Sequence, residues 1–190
     1  MWLRKKKSGN FTYSFEKDGQ EFRNWSLLTE YADMREAIED YPDWDAAYLR
    51  AAYPTGFSED HAHARPEFLR LAIGKVKAES SIHARLSCYE IWSGNYEQGF
   101  REAVQSFLLA PLRPCDGPSD KVPCSILVAG VLAEHGFRAE ASTVSSAGDG
   151  YDLGDEEGLA VKNAITKLSK RSHRAVVTDG ALALRRAGTV

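Results

Sequence analysis

The chain has 190 residues, of which 43% are hydrophobic and 27% are charged, and its formal net charge is −3. This composition excludes a wholly disordered chain, and the weak net charge excludes a strongly basic protein that binds nucleic acid directly. The longest apolar stretch, 126–133, is far shorter than the ~20 residues that a membrane-spanning helix needs.

The N-terminal residues and the cysteines both predict a cytoplasmic protein. The basic cluster at 4–7 is not followed by an apolar run, so it does not resemble a secretory signal. The three cysteines are an odd number at irregular spacing, which argues against a secreted disulfide framework. We therefore expect a reducing cytoplasm.

Charge is unevenly distributed along the chain. Segments 1–25 and 166–190 are basic, whereas segments 26–65 and 111–165 are acidic. One interpretation is that solvated helix faces lie between two basic ends. The other is that an acidic surface engages a basic partner.

The first predicted element is a β-hairpin over about 10–24. Aromatic and polar residues alternate from Phe11 to Phe15, as expected of a half-buried strand. Asp18-Gly19 follows and suits a two-residue turn, which sets Phe15 opposite Phe22. We assign residues 1–25 to this basic, hairpin-forming segment.

Three helices are predicted in the next part of the chain. Apolar spacing favours a helix from Ser26 to Tyr41, which ends because Pro42 disfavours the helical conformation of its predecessor. A second short helix is predicted over 44–53. Residues 54–65 read as a loop, and Pro66 suits the first turn of a helix over 66–79.

Residues 80–111 read as a helix, a tight turn at Gly94-Asn95, a second helix and a closing proline. Small residues fall at the positions where the two paired helices would approach closely. They are Ser87, Gly99 and Ser106. This pattern resembles a tetratricopeptide repeat, a helix–turn–helix unit of 34 residues.

A second, less complete copy begins at Val122. Val128-Ala129 corresponds to the leucine–small pair, Gly136 to the turn and Ala141 to a small packing site. The loop at 112–121 accounts for the extra spacing between the copies. The resemblance over about 80–148 implies stacked antiparallel helical hairpins, and the alternative is an unrelated helical bundle.

The acidic residues at 155–157 favour the start of a helix, because they suit the positive end of the helix dipole. The apolar spacing that follows them predicts the last helix of the domain. We expect a mainly α protein with a helical domain over 26–170. The basic tail, 171–190, is predicted either to form a hairpin from Ala175 or to be loose.

Motifs that carry chemistry are few. His61 and His63 are two residues apart and could ligate a metal from an extended segment, but exposed histidines in a polar loop are the favoured interpretation. The sequence has no phosphate-binding glycine loop, nucleophile elbow or zincin helix. We therefore assign no catalytic residue and no cofactor, and a small metal-dependent enzyme is the third functional hypothesis.

The preferred hypothesis is a module that binds a protein or peptide in a groove formed by the first helices of its hairpins. The repeat resemblance implies that Trp92 faces this groove, and the alternative is that Trp92 packs against the predicted helix over 66–79. It also implies that Arg85 stands where the family's carboxylate clamp often has a basic residue, and Glu134 is a further candidate for partner contact. Cys88 stands where the family's carboxylate clamp has asparagine, so recognition of a chain terminus is not implied. The alternative is an acidic inhibitor or decoy, for example from a mobile element or phage, that docks on a basic nucleic-acid-handling complex.

Overall fold

Helices make up most of the described chain in the computed structural model of the protein, which confirms the predicted mainly α class. The structure describes residues 2–5, 11–17, 20–23, 28, 31–53, 61–111, 121–148 and 155–188. The chain divides into two compact units, Met1–Lys77 and Ala78–Val190. The predicted helical domain over 26–170 therefore spans two units rather than one.

The first unit begins with a three-stranded antiparallel sheet. Its strands are β1 (Trp2–Lys5), β2 (Phe11–Lys17) and β3 (Gln20–Arg23), in that order across the sheet. The pairing of β2 with β3 places Phe15 opposite Phe22. Asp18 and Gly19, the expected turn residues, lie outside the described residues, and β1 was not predicted.

Three short helices follow in the same unit: α1 (Met34–Asp40), α2 (Asp45–Ala52) and α3 (Pro66–Ala72). The prediction of a helix from Ser26 is wrong in its start. Asp33 adopts an extended conformation, and its carboxylate accepts a hydrogen bond of 2.9 Å from the backbone N–H of Arg35. This cap sets the start of α1 at Met34 because it satisfies an N–H that lacks a helical partner.

Helix α3 is also shorter than the predicted 66–79. It begins with Pro66, as expected, but Gly74 adopts a φ of 74°, a left-handed conformation that ends a helix. Phe68 and Leu69 are buried on its inner side, whereas Leu71 is exposed. The prediction was wrong because the apolar spacing continues to Val76, beyond the glycine.

The second unit contains two antiparallel helical hairpins. The first pairs α4 (Glu79–Trp92) with α5 (Tyr96–Leu109), and the second pairs α6 (Lys121–Glu134) with α7 (Arg138–Gly148). Gly94 and Gly136 make the turns with φ angles of 80° and 85°. Glycine adopts this left-handed conformation without the steric cost that a Cβ atom would add, so the two turn positions agree with the prediction.

Small residues hold α4 and α5 close together. The Ser106 hydroxyl donates a hydrogen bond of 2.8 Å to the carbonyl of Ser80. A Cβ atom added at Gly99 would lie 2.7 Å from Cγ1 of Ile91, closer than side-chain atoms pack. The close approach at the predicted small positions is therefore present in this hairpin.

Helix α8 (Asp155–Leu168) and helix α9 (Arg174–Arg186) complete the unit. Helix α6 packs against α4, α5, α7, α8 and α9. It is buried on nearly all sides because its sequence is apolar around the whole helix. The hydrophobic core of this unit is centred on α6.

The C-terminal segment differs from its prediction. Residues from Arg174 form a regular helix rather than a hairpin or a loose tail. Val177, Ala181 and Leu184 are fully buried and follow the i, i+4, i+7 spacing of a single helix face. This face packs against the core, which orders α9.

Candidate functional site

One face of α4 carries a stripe of partly exposed residues at i, i+4, i+7 and i+11. This stripe consists of Ser81, Arg85, Cys88 and Trp92. The residues between them are mostly buried, for example Ile82, Leu86 and Ile91. Helical spacing therefore brings two of the predicted partner-binding residues, Arg85 and Trp92, to one side of the helix. We call these four residues the α4 stripe.

Trp92 ends the α4 stripe at a turn that is held by several hydrogen bonds. Its side chain is 46% exposed. The backbone N–H of Asn95 donates to the carbonyl of Glu90 at 2.8 Å, and the Asn95 amide donates to the Glu90 carboxylate at 2.9 Å. Glu90 itself is only 4% exposed. The turn therefore fixes the backbone from which Trp92 projects.

The middle of the α4 stripe lies against α6. The thiol of Cys124 on α6 donates a hydrogen bond of 3.7 Å to the carbonyl of Ala84, one helical turn before Cys88. A hydrogen bond with the Cys124 thiol, burial and the nearby Glu157 carboxylate raise the pKa of Cys88 well above its ordinary value, and the Arg85 charge opposes them weakly. This upward shift favours the protonated thiol over the reactive thiolate at Cys88.

Helix α8 limits the groove that the sequence predicted between α4 and α6. It contacts both helices. A Cβ atom added at Gly130 on α6 would lie 2.6 Å from Cδ1 of Ile165 on α8, so these two helices are in close contact. Part of the surface between α4 and α6 is therefore covered by the chain's own helix, and Trp92 stays exposed.

The other residues that the sequence singled out, Glu134, His61 and His63, do not belong to the α4 stripe. Glu134 is exposed at the last position of α6. His61 and His63 form a short 3₁₀ turn, in which His63 is exposed. Within the described part of the chain, no group of three His, Cys, Asp or Glu residues is arranged to hold a metal ion.

A partly buried ionic network joins α4 to α5 and was not predicted. Nδ1 of His83 lies 2.6 Å from a carboxylate oxygen of Glu102, and Nε2 lies 3.5 Å from Glu79. The amide of Gln98 donates to the other oxygen of Glu102 at 2.6 Å. Burial lowers the pKa of His83, but the two carboxylates outweigh it and the net shift is upward. Sequence spacing pairs Glu79 with His83, whereas Glu102 reaches His83 only because the hairpin closes.

Comparison with known proteins adds no family to this description. No protein-family model matches the chain, and neither a curated protein nor a solved structure matches it. Among the residues that are described, no helix combines the length and the apolar character needed to cross a membrane. The resemblance of 80–148 to tetratricopeptide repeats remains a prediction.

Proposed function

We propose that the Ala78–Val190 unit is a protein-binding helical module and that the α4 stripe contacts the partner. The observation that carries this proposal is the 46% exposure of Trp92 at a hydrogen-bonded turn. Tryptophan is enriched among the residues that dominate protein–protein binding energy. A side chain presented from an ordered helix end also loses little freedom when a partner covers it.

Arg85 gives this surface a second recognition element. It precedes Trp92 by seven residues, so the two side chains leave α4 on the same face, about 10 Å apart along the axis. A partner segment would place an apolar or aromatic side chain on Trp92 and continue along the same helix face past Arg85. The tetratricopeptide-like arrangement is part of this proposal, with α8 restricting the groove to the end near Trp92.

The proposal is tested by affinity capture with the wild-type chain and two variants in which one side chain is replaced by alanine. Leu109 is 45% exposed on α5, so Leu109→Ala removes a comparably exposed apolar side chain outside the α4 stripe. Partners captured by the wild type should be retained by Leu109→Ala and lost by Trp92→Ala. Equal capture by all three proteins would refute the role of the α4 stripe. Circular dichroism would establish that each variant is folded.

A second candidate function rests on the first unit. The carboxylates around α1 and α2 are concentrated within a short segment, and those on exposed residues are Asp33, Glu39, Asp40 and Asp43. Such a surface suits an inhibitor or decoy that docks on a basic nucleic-acid-handling complex. Its binding would weaken steeply with added salt, whereas binding through Trp92 would change little. The salt dependence of capture therefore separates the two candidates.

A further inference from the structure

The exposed side of the C-terminal segment is strongly basic. It carries exposed side chains from the end of α8 through α9: Lys167, Lys170, Arg171, Arg174, Arg185 and Arg186. Asp179 is the only acidic residue after position 165. Among the described residues, Arg185 pairs with Glu140, and no ion pair engages the other five cations. We call this surface the basic face.

An apolar line runs along α9 within the basic face. Ala175 and Leu182 are seven residues apart, so they lie one above the other on the helix, and Leu182 is 37% exposed. In helical projection Arg174 lies on one side of this line and Arg186 on the other. The basic face is therefore amphipathic rather than uniformly charged.

The opposite side of α9 fixes the basic face in place. A Cβ atom added at Gly180 would lie 2.8 Å from Cε1 of Phe100 on α5, so the two helices are in direct contact there. Val177, Ala181 and Leu184 are fully buried on the same side. The exposed residues are thus presented by an ordered helix, which lowers the entropy cost of binding.

We propose that the basic face binds an acidic amphipathic helix of a partner protein. Apolar residues of that helix would cover Leu182 and Ala175, and its flanking carboxylates would meet Arg174 and Arg186. Helix-in-groove and helix-on-helix recognition use this division between apolar anchors and flanking charges. A nucleic-acid backbone fits less well, because it has no apolar side chain to cover Leu182 and Ala175. This proposal does not rest on the function assigned to the α4 stripe.

The test uses the full-length protein and a fluorescent synthetic helix in which leucines follow helical spacing and the other positions are mainly glutamate. Fluorescence anisotropy at physiological ionic strength should show saturable binding. R174E/R186E should weaken binding at least about tenfold, because two attractive charge contacts become repulsive. Leu182→Ser should also weaken it, without a change of charge. K75E/K77E changes the net charge equally at two exposed lysines of the first unit and should have little effect.

Four outcomes of the binding assay would overturn the proposal. They are absence of saturable binding, an equal loss in R174E/R186E and K75E/K77E, stronger competition by a DNA oligonucleotide of the same net charge, and loss of peptide binding in Trp92→Ala. A concentration-dependent dimer that R174E/R186E abolishes would also overturn it, because the occupant would then be a second copy of the chain. Circular dichroism establishes that each variant is folded. Failure at Trp92 and failure at the basic face are distinguishable, because separate variants test the two surfaces.

Discussion

The hydroxyl of Ser87 donates a hydrogen bond of 2.8 Å to the backbone carbonyl of Gly99, across the interface between α4 and α5. Both residues are buried. A side-chain hydroxyl reaches the backbone of a neighbouring helix only when the two helices lie very close, and the missing side chain at position 99 permits this approach. The pair is one of the close links in the hairpin that carries Trp92.

Replacing Gly99 with leucine should destabilise the protein by about 1–3 kcal/mol, because the new side chain would overlap Ile91 and the backbone of α4. Arg101, two residues later, is exposed, so Arg101→Leu is the matched control and should lie within about 0.5 kcal/mol of the wild type. Chemical denaturation followed by circular dichroism measures both changes. If Gly99→Leu were as stable as Arg101→Leu, the packing of α4 on α5 would be wrong.

The network around His83 predicts a specific pH dependence of stability. The carboxylates of Glu102 and Glu79 outweigh burial and raise the pKa of His83 in the folded protein. The folded state therefore binds the proton more tightly than the unfolded state does. This contribution is fully present below the unfolded pKa of about 6.5 and is lost as pH rises through the folded pKa.

The measurement compares the free energy of unfolding between pH 6 and pH 9, about the range in which a raised histidine pKa acts. His83→Gln should remove the part of the wild-type decline that occurs on the alkaline side. His63→Gln changes an exposed histidine of the other unit and should keep the wild-type profile. Profiles of equal slope in wild type and His83→Gln would show that the pKa of His83 does not differ between the folded and unfolded states, and would contradict the upward shift.

The docking of α9 on the core can be tested at Gly180. Gly180→Leu should destabilise the protein by about 1–3 kcal/mol, because the added side chain meets the Phe100 ring and Val104. Ala175 is exposed on the same helix, and Ala175→Leu should be nearly neutral. Thermal melting measured by calorimetry distinguishes the two variants. Equal melting temperatures of the two variants would contradict the packing of α9 on the core and would favour the loose tail that the sequence suggested.

Local chemistry made the hairpin of 80–111 predictable. A glycine is needed where the backbone enters the left-handed region, and Gly94 occupies that position with a φ of 80°. Small residues are needed where helices nearly touch, and Gly99 and Ser106 are both buried at the contact. These requirements act within a few residues or across one hairpin, so the spacing alone indicated them.

Features that depend on tertiary contacts were not predictable in the same way. The sequence predicts that the segment from Ala175 to Gly180 starts a hairpin or is loose, yet Gly180 lies inside α9 where Phe100 leaves no room for a side chain. The spacing of Val177, Ala181 and Leu184 carried a helical signal that this glycine obscured. The pairing of His83 with Glu102 joins residues 19 positions apart and requires the closed hairpin.

The central claim is that Trp92 contacts a partner, and site-specific photo-crosslinking in native cells tests it most directly. A photoreactive phenylalanine analogue would replace Trp92 in one variant and the comparably exposed Leu109 in another. We predict a discrete crosslinked partner from position 92, reduced by excess wild-type protein but not by excess Trp92→Ala, and little adduct from position 109. Absence of an adduct at position 92, or equal adducts at both positions, would contradict the proposed role of the α4 stripe.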